Sequence, residues 1–231
     1  IMSVRLLFPT LLFEYNLLEE GLVTQTYLDE LKADMDAMRR QDPVGRQISN
    51  AYTGWQSNDG CESRPAWTKM LRIIKDKFNH EILPFSGVCT SKVQVRCGNV
   101  WANINDKGAW NKPHGHNGCW WSGALYIHAE GDEGDFIALN TTPQVLSDFP
   151  AASRFRENYN VRPTSGTLLC FPSGLLHMVE PNATNRDRYS VAFNMNTERL
   201  SSRPGQLDTD TWTPIDDDWN KFEIEDNEIK K

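Results

Sequence analysis

Hydrophobic spacing changes character between Pro84 and Val88, and that change constrains the fold more than any other feature of the chain. Upstream, apolar residues recur with helical spacing, first at Leu28, Leu31, Met35 and Met38, then at Trp67, Met70, Leu71, Ile74, Phe78 and Ile82. Asp42-Pro43 predicts the end of the first helix. Ser63 is a plausible N-cap for the second, which Pro84 should end. The stretch from Val4 to Tyr15 reads as a bent strand or strand pair around Pro9. Downstream of Val88 the pattern becomes short apolar or alternating runs separated by Gly, Pro, Asn and Asp. Predicted strands are Val93 to Cys97, Val100 to Asn105, Trp121 to His128, Phe136 to Leu139, Gly166 to Phe171, His177 to Glu180 and Tyr189 to Met195. So many short strands fit a small sandwich or jelly roll better than a parallel sheet with crossover helices. The expected architecture is mainly β with flanking helices.

A chain of 231 residues can bury a substantial core, and one domain over residues 1–200 is the expectation. Residues 201–231 read as an acidic tail, docked in part because it keeps Trp212, Ile215, Trp219, Phe222 and Ile224. The formal charge of −7 belongs to that tail, leaving 21 basic and 22 acidic residues before Asp208. A nearly neutral body gives no electrostatic reason to expect a nucleic-acid partner. No run approaches the length of a membrane span, and the apolar opening lacks the basic start and small-residue cleavage site of a secretory signal. Cys61, Cys89, Cys97, Cys119 and Cys170 are odd in number and contain no C-x-x-C pair. Reduced thiols and a cytoplasmic location follow as expectations.

Chemistry concentrates in the β-rich half. His114 and His116 lie two residues apart, so in extended backbone both imidazoles project to one side and can face one cation. Such a pair also arises by chance and needs a partner, which His177 can supply. In a strand, Arg188 and Ser190 share a side and offer a guanidinium fork and a hydroxyl to an anion; the plainer reading pairs Arg188 with a carboxylate. Trp110, Trp120, Trp121 and Tyr126 surround the histidine pair in sequence and suggest an aromatic wall, although aromatic residues in a β-core more often pack. His80 and His128 have no evident partners and read as structural or exposed.

Taken together, these residues resemble the iron(II)- and 2-oxoglutarate-dependent oxygenases, whose double-stranded β-helix carries an H-x-D/E pair, a distal histidine and a basic residue soon after it. Here His177 follows His116 by 61 positions and Arg188 follows His177 by 11. The wording of one little-described branch is matched by Ser49-Asn50, Gly54-Trp55-Gln56-Ser57, Trp101-Ala102-Asn103-Ile104-Asn105, His114-Gly115-His116, Ser122 to Ile127, Phe171-Pro172-Ser173 and Arg188 to Asn194. The resemblance covers Val4 to Asn196 and leaves out the tail.

It implies a cupin-like jelly roll in which His114, His116 and His177 ligate Fe(II). Arg188 and Ser190 would grip the distal carboxylate of 2-oxoglutarate, and Asn103 and Asn105 would line the pocket or serve as turn residues. The implied partners are 2-oxoglutarate, molecular oxygen and a peptide or small-molecule substrate, with a homodimer as an open assembly. One departure stands out: His116 replaces the usual carboxylate, which leaves a divalent metal site at +2 rather than +1. Asp135 or Glu133 could supply an oxygen ligand instead. Two other readings stay open at this point: a three-histidine zinc site doing hydrolytic or hydration chemistry, and a β-barrel binding module without catalysis.

Overall fold

The computed structural model describes residues 9–141 and 158–200. Its first strand is β1 (Phe13–Asn16), followed by helix α1 (Gln25–Gln41). Thr24 caps α1, its hydroxyl accepting from the Tyr27 N–H at 3.2 Å, while Arg39 and Arg40 complement the carbonyl end. Tyr27, Leu28, Leu31 and Met35 form the buried face.

Two short strands, β2 (Asn50–Ala51) and β3 (Trp55–Gln56), precede α2 (Thr68–Lys77), a π-helical turn over Phe78–Ile82 and α3 (Leu83–Phe85). The buried Trp67 joins the two helical layers, its indole N–H donating to Asp34 of α1 at 2.7 Å. Arg64 donates to the same carboxylate and is the largest influence holding Asp34 below the usual carboxylate range.

The remaining strands are β4 (Val93–Asn105), β5 (Trp110–His114), β6 (Trp121–His128), β7 (Phe136–Leu139), β8 (Asn158–Val161), β9 (Thr167–Pro172), β10 (His177–Val179) and β11 (Arg188–Arg199). They form two antiparallel sheets, a larger one ordered β1-β9-β6-β11-β4-β3 and a smaller one ordered β2-β5-β10-β7-β8. This is the expected mainly β architecture with flanking helices, a double-stranded β-helix. Alternation along each strand divides the larger sheet's side chains between two cores. Val100, Ala102, Ile104, Leu125, Ile127, Val191 and Phe193 join the helices in one cluster; Tyr126, Leu169 and Phe171 join Phe136 and Val161 of the smaller sheet in the other.

Several elements differ from the sequence expectation. The opening strand covers only Phe13–Asn16, and Val4 to Phe8 lie outside the described residues, as does the tail after Leu200. Ser63 caps no helix: it ends a 3₁₀ turn, and its hydroxyl donates to the Gly60 carbonyl. Pro84 does not end the second helical stretch but sits in the first turn of α3, where its missing N–H costs nothing. The preceding Leu83 N–H bonds the Phe78 carbonyl across the wider turn.

Two predicted strands around Gly98-Asn99 are one, β4, because an irregularity opposite Phe193 to Met195 absorbs the change of register. Strands β2, β3, β5 and β8 were not expected: two are only two residues long, β5 carries polar residues where alternation should show, and β8 alternates over only four residues. The five cysteines are free. Among the described residues no helix is long and apolar enough to cross a membrane.

Close approach inside the larger sheet requires glycine at Gly123 of β6, where a Cβ would lie 2.3 Å from the Leu169 carbonyl oxygen and 2.4 Å from the Phe193 ring. Gly123→Ala should therefore cost about 1–3 kcal/mol through overpacking, read as a lower urea midpoint. Gly174→Ala, with nothing within 4 Å, serves as the control and should stay within about 0.5 kcal/mol of the parent. Equal midpoints for the two variants would contradict this packing.

Candidate metal centre and anion pocket

The three histidines that sequence placed together do converge. His114 is the last residue of β5, His177 is the first of β10, and the two are register partners in the smaller sheet. His116 lies just beyond the end of β5, so the H-x-H pair straddles a strand terminus instead of lying within one strand. Its backbone N–H bonds the Ser173 carbonyl at 2.9 Å, which ties the loop to the turn between β9 and β10. Ring centroids are 4.3 Å apart for His114 and His177, 5.2 Å for His116 and His177, and 5.3 Å for His114 and His116. One nitrogen from each ring lies within 4.8 Å of the others.

Hydrogen bonding decides which nitrogen each ring has to offer. Nδ1 of His114 faces the Lys112 carbonyl at 2.7 Å, Nδ1 of His177 the Leu175 carbonyl at 2.9 Å, and Nδ1 of His116 the Asn194 side-chain oxygen at 2.7 Å. Backbone carbonyls can only accept, so Nδ1 of His114 and of His177 carries the proton and each Nε2 keeps a lone pair; the Asn194 oxygen facing His116 favours the same tautomer there. Neutral imidazoles with bare Nε2 atoms in one cluster are a nitrogen donor set for a transition metal. Burial favours the neutral form further: desolvation, aided by the neighbouring His114, pushes His177 down to about 3 and also lowers His114 and His116. Phe136 and Phe171 pack on His177 at 5.2 and 4.8 Å.

The two carboxylates considered as alternative ligands are engaged elsewhere. Glu133 is buried, accepting from the Glu130 and Gly131 N–H groups and from Arg186. Asp135 faces Arg162 at 3.6 Å. Neither belongs to the histidine cluster, which contains no carboxylate among the described residues.

Strand β11 runs along the cavity floor between β4 and β6. Its inward positions are Arg188, Ser190, Ala192 and Asn194, and its outward positions Tyr189, Val191, Phe193 and Met195 fill the helix-side core. Register builds rows across the three strands: Tyr126, Ser190 and Asn103 in one, then Ala124, Ala192 and Trp101, then Ser122 and Asn194 nearest His116.

Arg188 is 2% exposed, and none of the ion pairs among the described residues includes it. Its Nη1 donates to the Glu133 and Gly134 carbonyls, both at 2.8 Å, while its buried Nε has no partner among the described residues. Gly134 makes that contact with φ +97°, and a Cβ there would lie 2.5 Å from the Glu180 carbonyl oxygen. Desolvation lowers the Arg188 pKa, the signature of a buried cation short of counter-charge. Expecting Arg188 to pair with a protein carboxylate is therefore wrong for this fold.

Ser190 and Asn103 line the same cavity as Arg188 and the three histidines, and Asn103 is buried. Asn105 does not line it: its amide donates to Asn111 at 3.1 Å, and Asn111 donates to Ser49. The aromatic wall is also drawn differently. Trp121 packs against Phe13 and Phe78 on the helix side, Trp120 is 68% exposed, and Trp110 is absent from the cavity lining. Tyr126 lines the cavity as expected, joined by Trp101, Phe136 and Phe171. Asn194 was visible in the final strand motif, but only the three-dimensional pairing reveals its contact with His116.

Residues 99–194 match the family described as "Putative 2OG-Fe(II) oxygenase". None of the curated proteins matches the chain. Among solved structures, a Pseudomonas putida prolyl-4-hydroxylase is 16% identical at a TM-score of 0.53, covering 80% of this chain and 92% of that one. HygX from Streptomyces hygroscopicus, crystallised with nickel and 2-oxoglutarate, is 12% identical at 0.54, with coverages of 81% and 82%. A Trichoplax adhaerens prolyl hydroxylase in complex with a hypoxia inducible factor peptide fragment is 10% identical at 0.56, with coverages of 80% and 83%. These likenesses establish a shared fold.

Because His177 folds with a pKa of about 3 against about 6.5 when unfolded, the unfolded metal-free chain binds more protons between those values. Stability should fall as pH drops from about 6.5 toward 3, by up to about 1.4 kcal/mol per pH unit for each such proton. Urea midpoints across that window, compared with those of His177→Phe, check this. The variant should lose part of the slope, and an unchanged slope would count against a buried neutral His177.

Proposed function

We propose that this chain is an iron(II)- and 2-oxoglutarate-dependent oxygenase that hydroxylates a peptide or small molecule. The observation that carries the reading is one cavity with two unsatisfied ends: three imidazoles with bare Nε2 atoms at one, and a buried guanidinium with an orphaned Nε at the other. His114, His116 and His177 would hold the metal. Bound iron, with 2-oxoglutarate and dioxygen, supplies C–H hydroxylation coupled to decarboxylation of the keto acid to succinate.

The protein's own contribution is to hold and orient. Arg188 takes the distal carboxylate through Nε while its Nη1 stays tied to two backbone carbonyls, so the guanidinium plane is set before the ligand arrives. Ser190 and Asn103, side by side in the sheet, add a hydroxyl and an amide to the same end. Asn105 acts through Asn111 and keeps that strand end in place. Ala124 and Ala192 leave space between the two ends, and Phe136 and Phe171 keep water from His177. A dianionic cosubstrate offsets the +2 of a divalent ion held by three neutral imidazoles, which gives the all-histidine set a charge rationale. The five free thiols suit a reducing, cytoplasmic setting.

Substrate class draws support from two of the structural likenesses, one crystallised with a hypoxia inducible factor peptide and the other, HygX, with hygromycin B.

Anaerobic addition of Fe(II) and 2-oxoglutarate should produce a visible metal-to-ligand charge-transfer band, and admission of oxygen should release succinate. Arg188→Ala should raise the 2-oxoglutarate concentration needed for the band by about 10- to 100-fold, the value of a charge-assisted hydrogen bond. Tight zinc uptake with no band under any condition would replace the oxygenase with a hydrolytic zinc site.

A further inference from the structure

The imidazole that stands where the oxygenase pattern has a carboxylate is also the one held by a distant side chain. His114 and His177 each donate Nδ1–H to the carbonyl two residues earlier, so the backbone just before each one orients it. His116 has left its strand, and its acceptor is Asn194, 78 residues away on β11. That amide is held by three side chains. Its oxygen accepts from His116 at 2.7 Å and from the Ser122 hydroxyl at 2.8 Å, and its Nδ2 donates to the Asn99 side-chain oxygen at 2.8 Å. Turning the amide over would require the His116 tautomer, the Ser122 hydroxyl and the Asn99 amide to change together. The Trp101 ring lies alongside His116 at 5.7 Å and limits its tilt.

We propose that Asn194, locked by Ser122 and Asn99, is the positioning residue of the metal centre. It holds His116 in the tautomer with a bare Nε2 and fixes the direction of that lone pair. The inference rests on the metal-site reading above and adds to it the element that makes a loop histidine usable in place of a strand carboxylate. A carbonyl acceptor at Nδ1 also makes Nε2 a stronger donor, as outer partners of metal-bound histidines do. An amide achieves this without adding charge.

Two measurements on the full chain test the proposal. Nitrogen-15 correlation spectra of the metal-free parent should show His116 protonated at Nδ1 and bare at Nε2. Titration with Co(II) alone, followed by calorimetry and by the cobalt d–d spectrum, should show N194A binding about 10- to 100-fold more weakly than the parent, with an altered band shape. N194D, which keeps the acceptor and needs only Asn99 to turn its amide over, should restore tight binding and the parent tautomer. His116 protonated at Nε2 in the parent, or equal cobalt affinity and spectrum in parent and N194A, overturns the clasp while leaving the metal site standing. No cobalt uptake by the parent overturns the metal site and the clasp with it. Should N194A fail to fold, the parent spectrum and N194D still decide: loss of binding in N194D overturns the proposal.

Discussion

The antiparallel pairing of β11 with β4 on one side and β6 on the other is the constraint on which the rest of this structure depends. It places one strand at the centre of the larger sheet and gives its two faces opposite tasks. Outward, Val191, Phe193 and Met195 are fully buried against the helical layer. Inward, a guanidinium, a hydroxyl, a methyl group and an amide follow one another at a two-residue repeat, from the Arg188 end of the cavity to the histidine cluster. A shift of one residue in this register would drive Arg188 and Asn194 into the apolar core and bring Phe193 into the cavity. Apolar burial on one face thus specifies the order of polar groups on the other.

Electrostatics explains why the cavity tolerates so much unsatisfied chemistry. A buried guanidinium without a carboxylate partner is costly to fold, and here two backbone carbonyls offset only part of that cost. Nearby acidic groups make no ion pair with it: Glu133 acts on Arg188 only at a distance while capping a loop and receiving Arg186, and Asp135 faces Arg162. The positive charge is thereby kept available to an anionic ligand. At the opposite end the buried His177 and the half-buried His114 and His116 favour the neutral form, each with Nδ1 facing an oxygen. Both ends are arranged for partners that the polypeptide itself does not provide.

Much of the candidate site was legible in the sequence because its residues obey simple spacings. The H-x-H pair, His177, and the alternation of Arg188 and Ser190 could be read without coordinates, as could the helical stripe through Leu28, Leu31 and Met35. What escaped had weak local signals. Strand β5 carries His114 but reads Trp-Asn-Lys-Pro-His, with no apolar alternation, and its partners are the short β2 and β10. Asn105 looked like a pocket residue because it shares a face with Asn103, yet a neighbouring asparagine takes up its amide. Trp121 looked like part of a substrate wall because it is near His116 in sequence, and strand alternation sends it to the opposite face.

By itself, then, the chain's pattern of apolar spacing determined a helical layer followed by a β-rich body, and the identities of three histidines, an arginine and a serine pointed to one kind of chemistry. Tertiary structure alone decided that Arg188 would lack a counter-ion, that neither Glu133 nor Asp135 would join the histidines, and that Asn194 would reach back to His116. The division has a physical reason. Spacing along a strand or helix fixes the direction of a side chain relative to its own backbone, whereas its hydrogen-bond partner depends on which distant strands are brought alongside. That choice is made by the register of the whole sheet.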